Sequence, residues 1–296
     1  MSIYKELSYE QDVDTINGIQ FSIMSADDIR NRSVAEILTT DTYAGVEPVH
    51  GGLFDPRMGV VDHNKICPTC EQKNKFCPGH FGHIELAKPL FYIQFFDIVK
   101  KLMKCVCFKC SKLLLDKEQP ELQKIMNKKI SRQKKFDAIY KICSKNKIKW
   151  CGSNSDIGCG ARQPDKISKD NIGKIILEWK DVEEDNKKIY LAEDVLKILT
   201  RITDEDSAIL GFPKKINRPE NLICTVFPFP PPTVRPSVRN DTGQRCHDDL
   251  THKLCDMVKT NNTLKAKIDK GAATIEQIAR IIGQWISNPS LKGNCI

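Results

Sequence analysis

The sequence contains no run of eighteen apolar residues, so no segment reads as a membrane-spanning helix. Its opening stretch, MSIYKELSYE, lacks the apolar core of a secretory signal, and none is expected. Aromatic residues are sparse, at 7% with three tryptophans. No internal repeat is present, which excludes a solenoid or propeller. What the chain does have is thirteen cysteines. Without a secretion signal these read as thiolate ligands and free thiols in a reducing intracellular setting, rather than as disulfides. At 296 residues and 40% apolar content, the chain can bury a real core as one large domain or two ordinary ones. Metal would then reinforce locally.

The formal net charge of +8 is unevenly spread. Between Lys100 and Lys149 there are sixteen Lys or Arg against four acids, an excess of twelve that leaves the remainder at −4. A solvated Lys-rich face and a surface turned toward a polyanion both fit this block.

Ser25 and Asp28 stand at capping-box spacing, which predicts a helix start. GGLFDPRMG (51–59) reads as a loop. In PLFYIQFFDIVKKLM, Phe91, Phe95, Ile98 and Leu102 share one helical face. The basic block predicts two helices, the second with Phe136, Ile139, Tyr140 and Cys143 inward. Strands are expected at 174–179 and 188–192, joined by an acidic turn, and a helix over 193–210 ending at Gly211. LICTVFPFPPPTVRPSV (222–238) reads as a strand running into an extended polyproline stretch. Helices are expected from about Asp248 to Lys259, and from Thr274 with Ile278, Ile281, Ile282 and Trp285 inward. The pattern is α+β.

CPTCEQKNKFCPGHFGH (67–83) offers three cysteines and two histidines where a tetrahedral metal needs four ligands. The spacing C-x2-C-x6-C-x2-H selects Cys67, Cys70, Cys77 and His80, two close pairs meeting across a short excursion. His83 is the spare, and is the one residue that could replace His80. Soft thiolates with one imidazole suit Zn²⁺. A second site starts at Cys107 and Cys110, and its other half comes from Cys143, Cys151 or Cys159. Cys143 falls on an apolar helix face, as a small hydrophobe would. Cys151 and Cys159 lie in a Gly-rich knot and are chosen. Sites with three thiolates and with four carry −1 and −2, which lowers the effective net charge to about +5. Each set closes the metal shell, so both metals read as structural. A zinc hydrolase or deaminase would need an open position and an acid or base, for which Glu85 is the nearest carboxylate.

These residues resemble one family. GGLFDPRMG with KICPTCEQKNKFCPGHFGHIELAKPLF is similar to the N-terminal clamp region of the largest subunit of multisubunit DNA-directed RNA polymerases, of the eukaryotic RNA polymerase II kind. CVCFKCSKLLLD and GCGARQP are similar to the two halves of the clamp-head zinc site, and PPPTVRPSVRNDTGQRCHDDLTHKL to the stretch around the lid loop. The resemblance implies the RNA polymerase clamp fold, with one Zn²⁺ on Cys67, Cys70, Cys77 and His80 in a clamp core. It implies another on Cys107, Cys110, Cys151 and Cys159 in a clamp head, and leaves His83 out. Residues 1–95 would form the core with the first zinc, 96–234 the head with the second, and 235–296 the return to the core with the lid. The partners implied are DNA, the RNA–DNA hybrid, the second-largest and other polymerase subunits, and the remainder of the largest subunit. No membrane is implied. Arg235, Arg239 and Arg245 become candidates for phosphate contact.

Two departures stand out: Cys246–His247 where the family more often has glycine and an acid, and a short knot between Cys151 and Cys159. The family's Asn-Ala-Asp-Phe-Asp-Gly-Asp motif, whose carboxylates hold Mg²⁺, does not occur in the sequence and would lie beyond Ile296. Nucleotidyl transfer is therefore expected of the complete enzyme and not of this chain alone. Lys/Asn-rich composition and the trimmed head lean toward a large DNA virus of eukaryotes, working in nucleus, host cytoplasm or virion. A free-standing zinc-dependent nucleic-acid-binding or regulatory protein derived from the clamp is the alternative.

Overall fold

Ser25 opens the first helix, α1 (Ala26–Arg32), through the reciprocal cap the sequence predicts. Its hydroxyl accepts from the Asp28 amide and the Asp28 carboxylate accepts from the Ser25 amide, each at 3.1 Å. The structure is a computed structural model describing residues 16–19, 21–45, 47–62, 65–146, 148–153, 158–170, 173–180, 187–214, 216–239 and 245–271, with the side chains of Asn146, Val238, Arg239 and Arg245 excepted. The expected helix from Thr274 and the expected acidic turn lie outside these residues.

After α1 come a two-residue ribbon, β1 (Tyr43–Ala44) with β2 (Glu47–Pro48), and the GGLFDPRMG loop. That loop is wound around the buried carboxylate of Asp55, which accepts from the Gly51 amide at 2.6 Å and from the Arg57 amide and guanidinium at 2.8–3.0 Å. Burial raises the Asp55 carboxyl, but Arg57 and the Gly51 amide outweigh it and hold the group below its usual range.

Strand β3 (Gly82–Phe91) follows the first cysteine cluster, and helix α2 (Phe96–Met103) follows β3. Here the structure corrects the sequence reading, which put Phe91 on a helix. Pro89 biases the preceding residue toward extended backbone, so the chain stays extended to Phe91 and only then turns helical. The buried face of α2 is Phe96, Val99, Leu102 and Met103, with Phe95 and Ile98 only partly covered. The basic block forms α3 (Pro120–Asn127) and α4 (Arg132–Asn146), with Phe136, Ile139 and Cys143 buried as expected. A three-stranded antiparallel sheet follows, β4 (Lys166–Lys169), β5 (Ile175–Glu178) and β6 (Lys187–Tyr190), in sequence order. The sequence reading foresaw the last two strands and missed β4.

The single helix expected over 193–210 is two, α5 (Ala192–Thr200) and α6 (Asp204–Ile209). Thr203 makes the break by accepting from the Asp206 amide at 3.2 Å as a new N-cap. Strand β7 (Ile223–Phe229) pairs antiparallel with β3, and a short ribbon, β8 (Val238–Arg239) with β9 (Arg245–Cys246), leads to helix α7 (Asp249–Asp269). This last helix runs ten residues past its expected end because Asn261 works across the fold. Its side chain donates to the Glu85 carbonyl and accepts from the Ala87 amide, both at 2.9 Å. Those are backbone groups of β3 where its register with β7 slips, between Glu85 and Leu90.

Two apolar cores result. One gathers α2 to α5, β4, β5 and the start of β7; the other packs Leu53, Phe54, Met58, Ile84 and Phe229 against Leu254, Met257 and Val258 of α7, and among the described residues a small third cluster joins Val60 to Cys67 and Cys77. The β3–β7 ladder runs through both, with Phe91 and Ile223 in the first and Ile84 and Phe229 in the second. Among the described residues no helix is long and apolar enough to cross a membrane.

Candidate metal centres

Cys67 and Cys70 lie on a tight knuckle. The Glu71 amide donates to the Cys67 carbonyl at 2.8 Å, and the Cys67 amide donates to the Gln72 carbonyl at 2.9 Å. Cys107 and Cys110 lie on a second knuckle with the same pattern, Ser111 to Cys107 and Cys107 to Lys112, each at 2.9 Å. In both, the residue after the second cysteine takes a left-handed conformation, Glu71 at φ 56 and Ser111 at φ 63. Neither is glycine, so each turn carries about 1–2 kcal/mol of backbone strain. Two unrelated stretches of chain accept that strain to aim a pair of sulfurs at one point.

What meets each knuckle differs. His80 is held by its amide, which donates to the Met58 carbonyl at 2.9 Å. Gly79 (φ 83) must be glycine, because a Cβ there would lie 2.9 Å from Pro231, so the turn before His80 packs on the polyproline stretch. At the second centre Cys151 sits in a short ladder, its amide donating to Ala161 at 2.9 Å while the Gln163 amide donates to Lys149 at 2.8 Å. Cys159 lies across from it at the far end of the knot.

Cys67, Cys70, Cys77 and His80 form one group of ligand atoms, and Cys107, Cys110, Cys151 and Cys159 another, with all atoms in each within 4.8 Å of one another. Cys77 Sγ is 3.8 Å from His80 Nε2; Cys107–Cys159 and Cys110–Cys151 sulfurs are each 3.6 Å apart. A disulfide needs about 2 Å. Tetrahedral Zn²⁺ with Zn–S near 2.3 Å places its ligand atoms about 3.6–3.8 Å apart. The donor sets fit zinc in number, softness and spacing.

The thiols are also poised unequally. Burial raises the Cys159 thiol, but the Ala161 amide and the neighbouring sulfurs outweigh it and bring the group down to about 7. Burial pushes Cys151 up to about 12. One thiolate forms readily while Cys110 and Cys151 resist, as crowded sulfurs do when one of them is already charged. Two partners missed by sequence reasoning support the second centre. Buried Gln163 donates from Nε2 to Cys107 Sγ at 3.2 Å, and the Lys109 amide donates to the same sulfur at 3.4 Å. Gln163 follows Cys159 in GCGARQP, and its position beside a ligand was the only available signal.

His83 is elsewhere: its Nδ1 lies 2.7 Å from Ser33 Oγ, and it pairs in β3 with Pro228. A His83→Ala chain is expected to keep both metals, read as zinc per chain by atomic emission; loss of one would show that the wrong histidine was chosen. Glu85, the carboxylate a hydrolase would need, is committed to Arg30 at 2.6 and 3.2 Å. Cys143 is buried beside Cys105, which hydrogen-bonding to Cys143 and burial hold well above the usual thiol range, and neither belongs to the ligand group.

Of the three arginines singled out for phosphate, the structure corrects one. Arg235 is 0% exposed. Its guanidinium lies between the rings of Phe54 and Phe229, 4.9 and 4.8 Å from their centroids, and donates to the Leu53 and Pro230 carbonyls. No phosphate reaches it there. Burial lowers its pKa to about 10, which leaves it cationic at neutral pH. Arg239 and Arg245 are backbone register partners across the β8–β9 ribbon.

A family model described as RNA polymerase Rpb1, domain 1 matches residues 13–282.

Proposed function

The chain belongs to the RNA polymerase Rpb1 domain 1 family and is part of the largest subunit of a DNA-directed RNA polymerase, and from that premise we propose that it forms the clamp that closes over DNA and the RNA–DNA hybrid. The observation that supports this reading best is the pair of four-ligand sets at tetrahedral spacing, the first clustered with buried Val60. Each would hold a structural Zn²⁺ that fixes a fold too irregular to be fixed by its short strands. Zinc supplies a closed, redox-inert crosslink; the chain's own residues shape the surface. On this reading 1–95 is the core with the first zinc, 96–234 the head with the second, and 235–296 the return carrying the lid.

Charge supports a polyanion-facing role. Lys124, Lys128, Lys129, Arg132, Lys134 and Lys141 on and between α3 and α4 are exposed, and among the described residues none of them makes an ion pair. Arg239 and Arg245 are register partners on the β8–β9 ribbon, which brings two arginine positions to one place in the chain. These two arginines are the proposed phosphate contacts of the lid.

Mg²⁺ and nucleotidyl transfer belong to the complete enzyme, with the second-largest subunit, the other subunits and the remainder of the largest subunit as partners. A polymerase II-like enzyme of a large DNA virus is the proposed source. The test is assembly. Co-expressed with the downstream part of the largest subunit and with the second-largest subunit, the chain is expected to co-purify in a complex that transcribes. A chain that binds nucleic acid in a salt-sensitive way but associates with no polymerase subunit would be a free-standing nucleic-acid-binding protein instead.

A further inference from the structure

Both metal centres carry the same triplet at their third ligand, Lys-aromatic-Cys, as Lys75-Phe76-Cys77 and Lys149-Trp150-Cys151. In each the cysteine is buried while the aromatic stands out, Phe76 at 72% and Trp150 at 51% exposure. A large aromatic next to a buried ligand ordinarily folds inward. These two do not, and their surroundings differ in a way that separates their uses.

Trp150 is rigidly mounted. It bridges Arg162 in antiparallel register, and the amides on either side of that bridge, Cys151 and Gln163, are both hydrogen-bonded across it. Arg162 is fixed in turn by its carbonyl, which accepts from Trp179 Nε1 at 3.4 Å, and the Trp179 ring packs edge-on against Phe108 of the Cys107–Cys110 knuckle. Cys151 next to Trp150 and Cys110 next to Lys109 have their sulfurs 3.6 Å apart, so the two strands of chain carrying Trp150 and Lys109 are held together at the metal.

The company Trp150 keeps is cationic and small. Lys109, Lys112 and Lys149 are exposed on these strands, together with Ser153, Gly158 and Gly160. Among the described residues of 105–115 and 148–163, Trp150 is the one exposed large apolar side chain, and Lys109 and Lys149 make no ion pair. A protein-binding hot spot places its tryptophan within an apolar patch ringed by near-neutral contacts. Lone aromatics flanked by cations are how proteins bind single-stranded nucleic acid, the base on the ring and the phosphates on the lysines. Phe76 differs, sharing its knuckle with exposed Ile66 and with the carboxylate of Glu71.

We infer that Trp150, with Lys109 and Lys149, forms a stacking platform for an unpaired nucleotide of single-stranded DNA or RNA at the second metal centre. The inference takes its ligand class from the nucleic-acid-holding reading above, but its site is separate from the lid arginines. Rigid mounting removes much of the ordering entropy that a flexible side chain would lose on stacking.

The test uses the full 296-residue chain, loaded with zinc. Fluorescein-labelled oligothymidine about twenty nucleotides long is titrated by anisotropy, beside a duplex of equal length. Trp150→Ala is expected to weaken the single strand about tenfold and the duplex hardly at all, with Trp150→Phe restoring most of the loss. Lys109→Ala and Lys149→Ala are each expected to reduce the single-strand salt slope by about 0.7. Phe76→Ala is expected to leave binding unchanged. Two zinc per chain in every variant shows that the centre is intact; if Trp150→Ala loses one, the Trp150→Phe and lysine variants carry the test. Unchanged single-strand affinity in Trp150→Ala with the lysine effects intact would overturn the platform and leave the clamp reading standing. Equal weakening on duplex, or normal binding with loss of a co-purifying polymerase subunit, would also overturn it, the second by making Trp150 a protein contact. No affinity of the chain for either oligonucleotide would overturn it as well, while assembly into the polymerase would still decide the clamp reading.

Discussion

Replacing Cys110 with serine is expected to leave the chain with one zinc instead of two and to unfold the knuckle and the 148–163 hairpin. A structural zinc contributes roughly 10–16 kcal/mol of folding free energy in small zinc domains. A whole domain is stable by only about 5–15 kcal/mol, so a centre that loses its metal loses more than local packing can supply. The elements involved have little else. Knuckle and hairpin meet through the four sulfurs and the Gln163 contact to Cys107, with Trp179 packing on Phe108 of the knuckle and donating to the Arg162 carbonyl of the hairpin. The larger core of α2, α4 and α5 should survive, giving two transitions in urea where the parent gives one. Cys143→Ser is the control. It sits on the buried face of α4 away from the ligand set, and is expected to keep both zincs while losing about 1–3 kcal/mol by burying a hydroxyl. Loss of zinc from Cys143→Ser would mean that the wrong cysteine completes the second centre.

Arg235→Ala is expected to destabilise the chain by about 3–5 kcal/mol, measured by urea unfolding of the zinc-loaded protein. The side chain fills the space between Phe54 and Phe229 and satisfies the Leu53 and Pro230 carbonyls. Its removal leaves a cavity and unpaired acceptors together. Lysine should not rescue it, because an ammonium lacks the planar fork that stacks on both rings and reaches both carbonyls. Arg239→Ala and Arg245→Ala are the contrast, with stability changes of about 0.5 kcal/mol or less but a DNA salt slope lower by about 0.9 each. A near-neutral Arg235→Ala with a reduced salt slope would return Arg235 to the surface role first inferred for it.

Arg235 shows why part of the site escaped the sequence. In PPPTVRPSVRN three features suggest a solvated loop: prolines, polar neighbours and two arginines four residues apart. Nothing local announces that Phe54, far earlier in the chain, closes over one arginine and not the other. The two candidate ligand groups were legible because metal geometry is written in short spacings: knuckles of C-x2-C close locally whatever surrounds them. The second centre's other half was legible for a related reason, since a cysteine on the apolar stripe of α4 had a competing use. Helices α1 and α7 start where Ser25 and Asp248 cap them. Most errors fell where a distant partner decided the outcome, although the break between α5 and α6 was written locally in Thr203. Asn261 and Asn262 look like helix stoppers, yet they bind Glu85, Ala87 and Leu38, and so extend α7. Phe91 has a helical period but is paired with Ile223 of β7. Gln163 offered only its place in GCGARQP, close after Cys159.

The central claim is that two closed zinc shells fix this part of a polymerase largest subunit, and zinc-edge X-ray absorption on the purified 296-residue chain, with zinc quantified per chain, tests it most directly. The expected result is two zinc per chain with a summed shell of seven sulfurs and one nitrogen, matching the two ligand groups. One zinc per chain, or an oxygen completing either shell, would contradict it, the first by removing a centre and the second by opening one to chemistry.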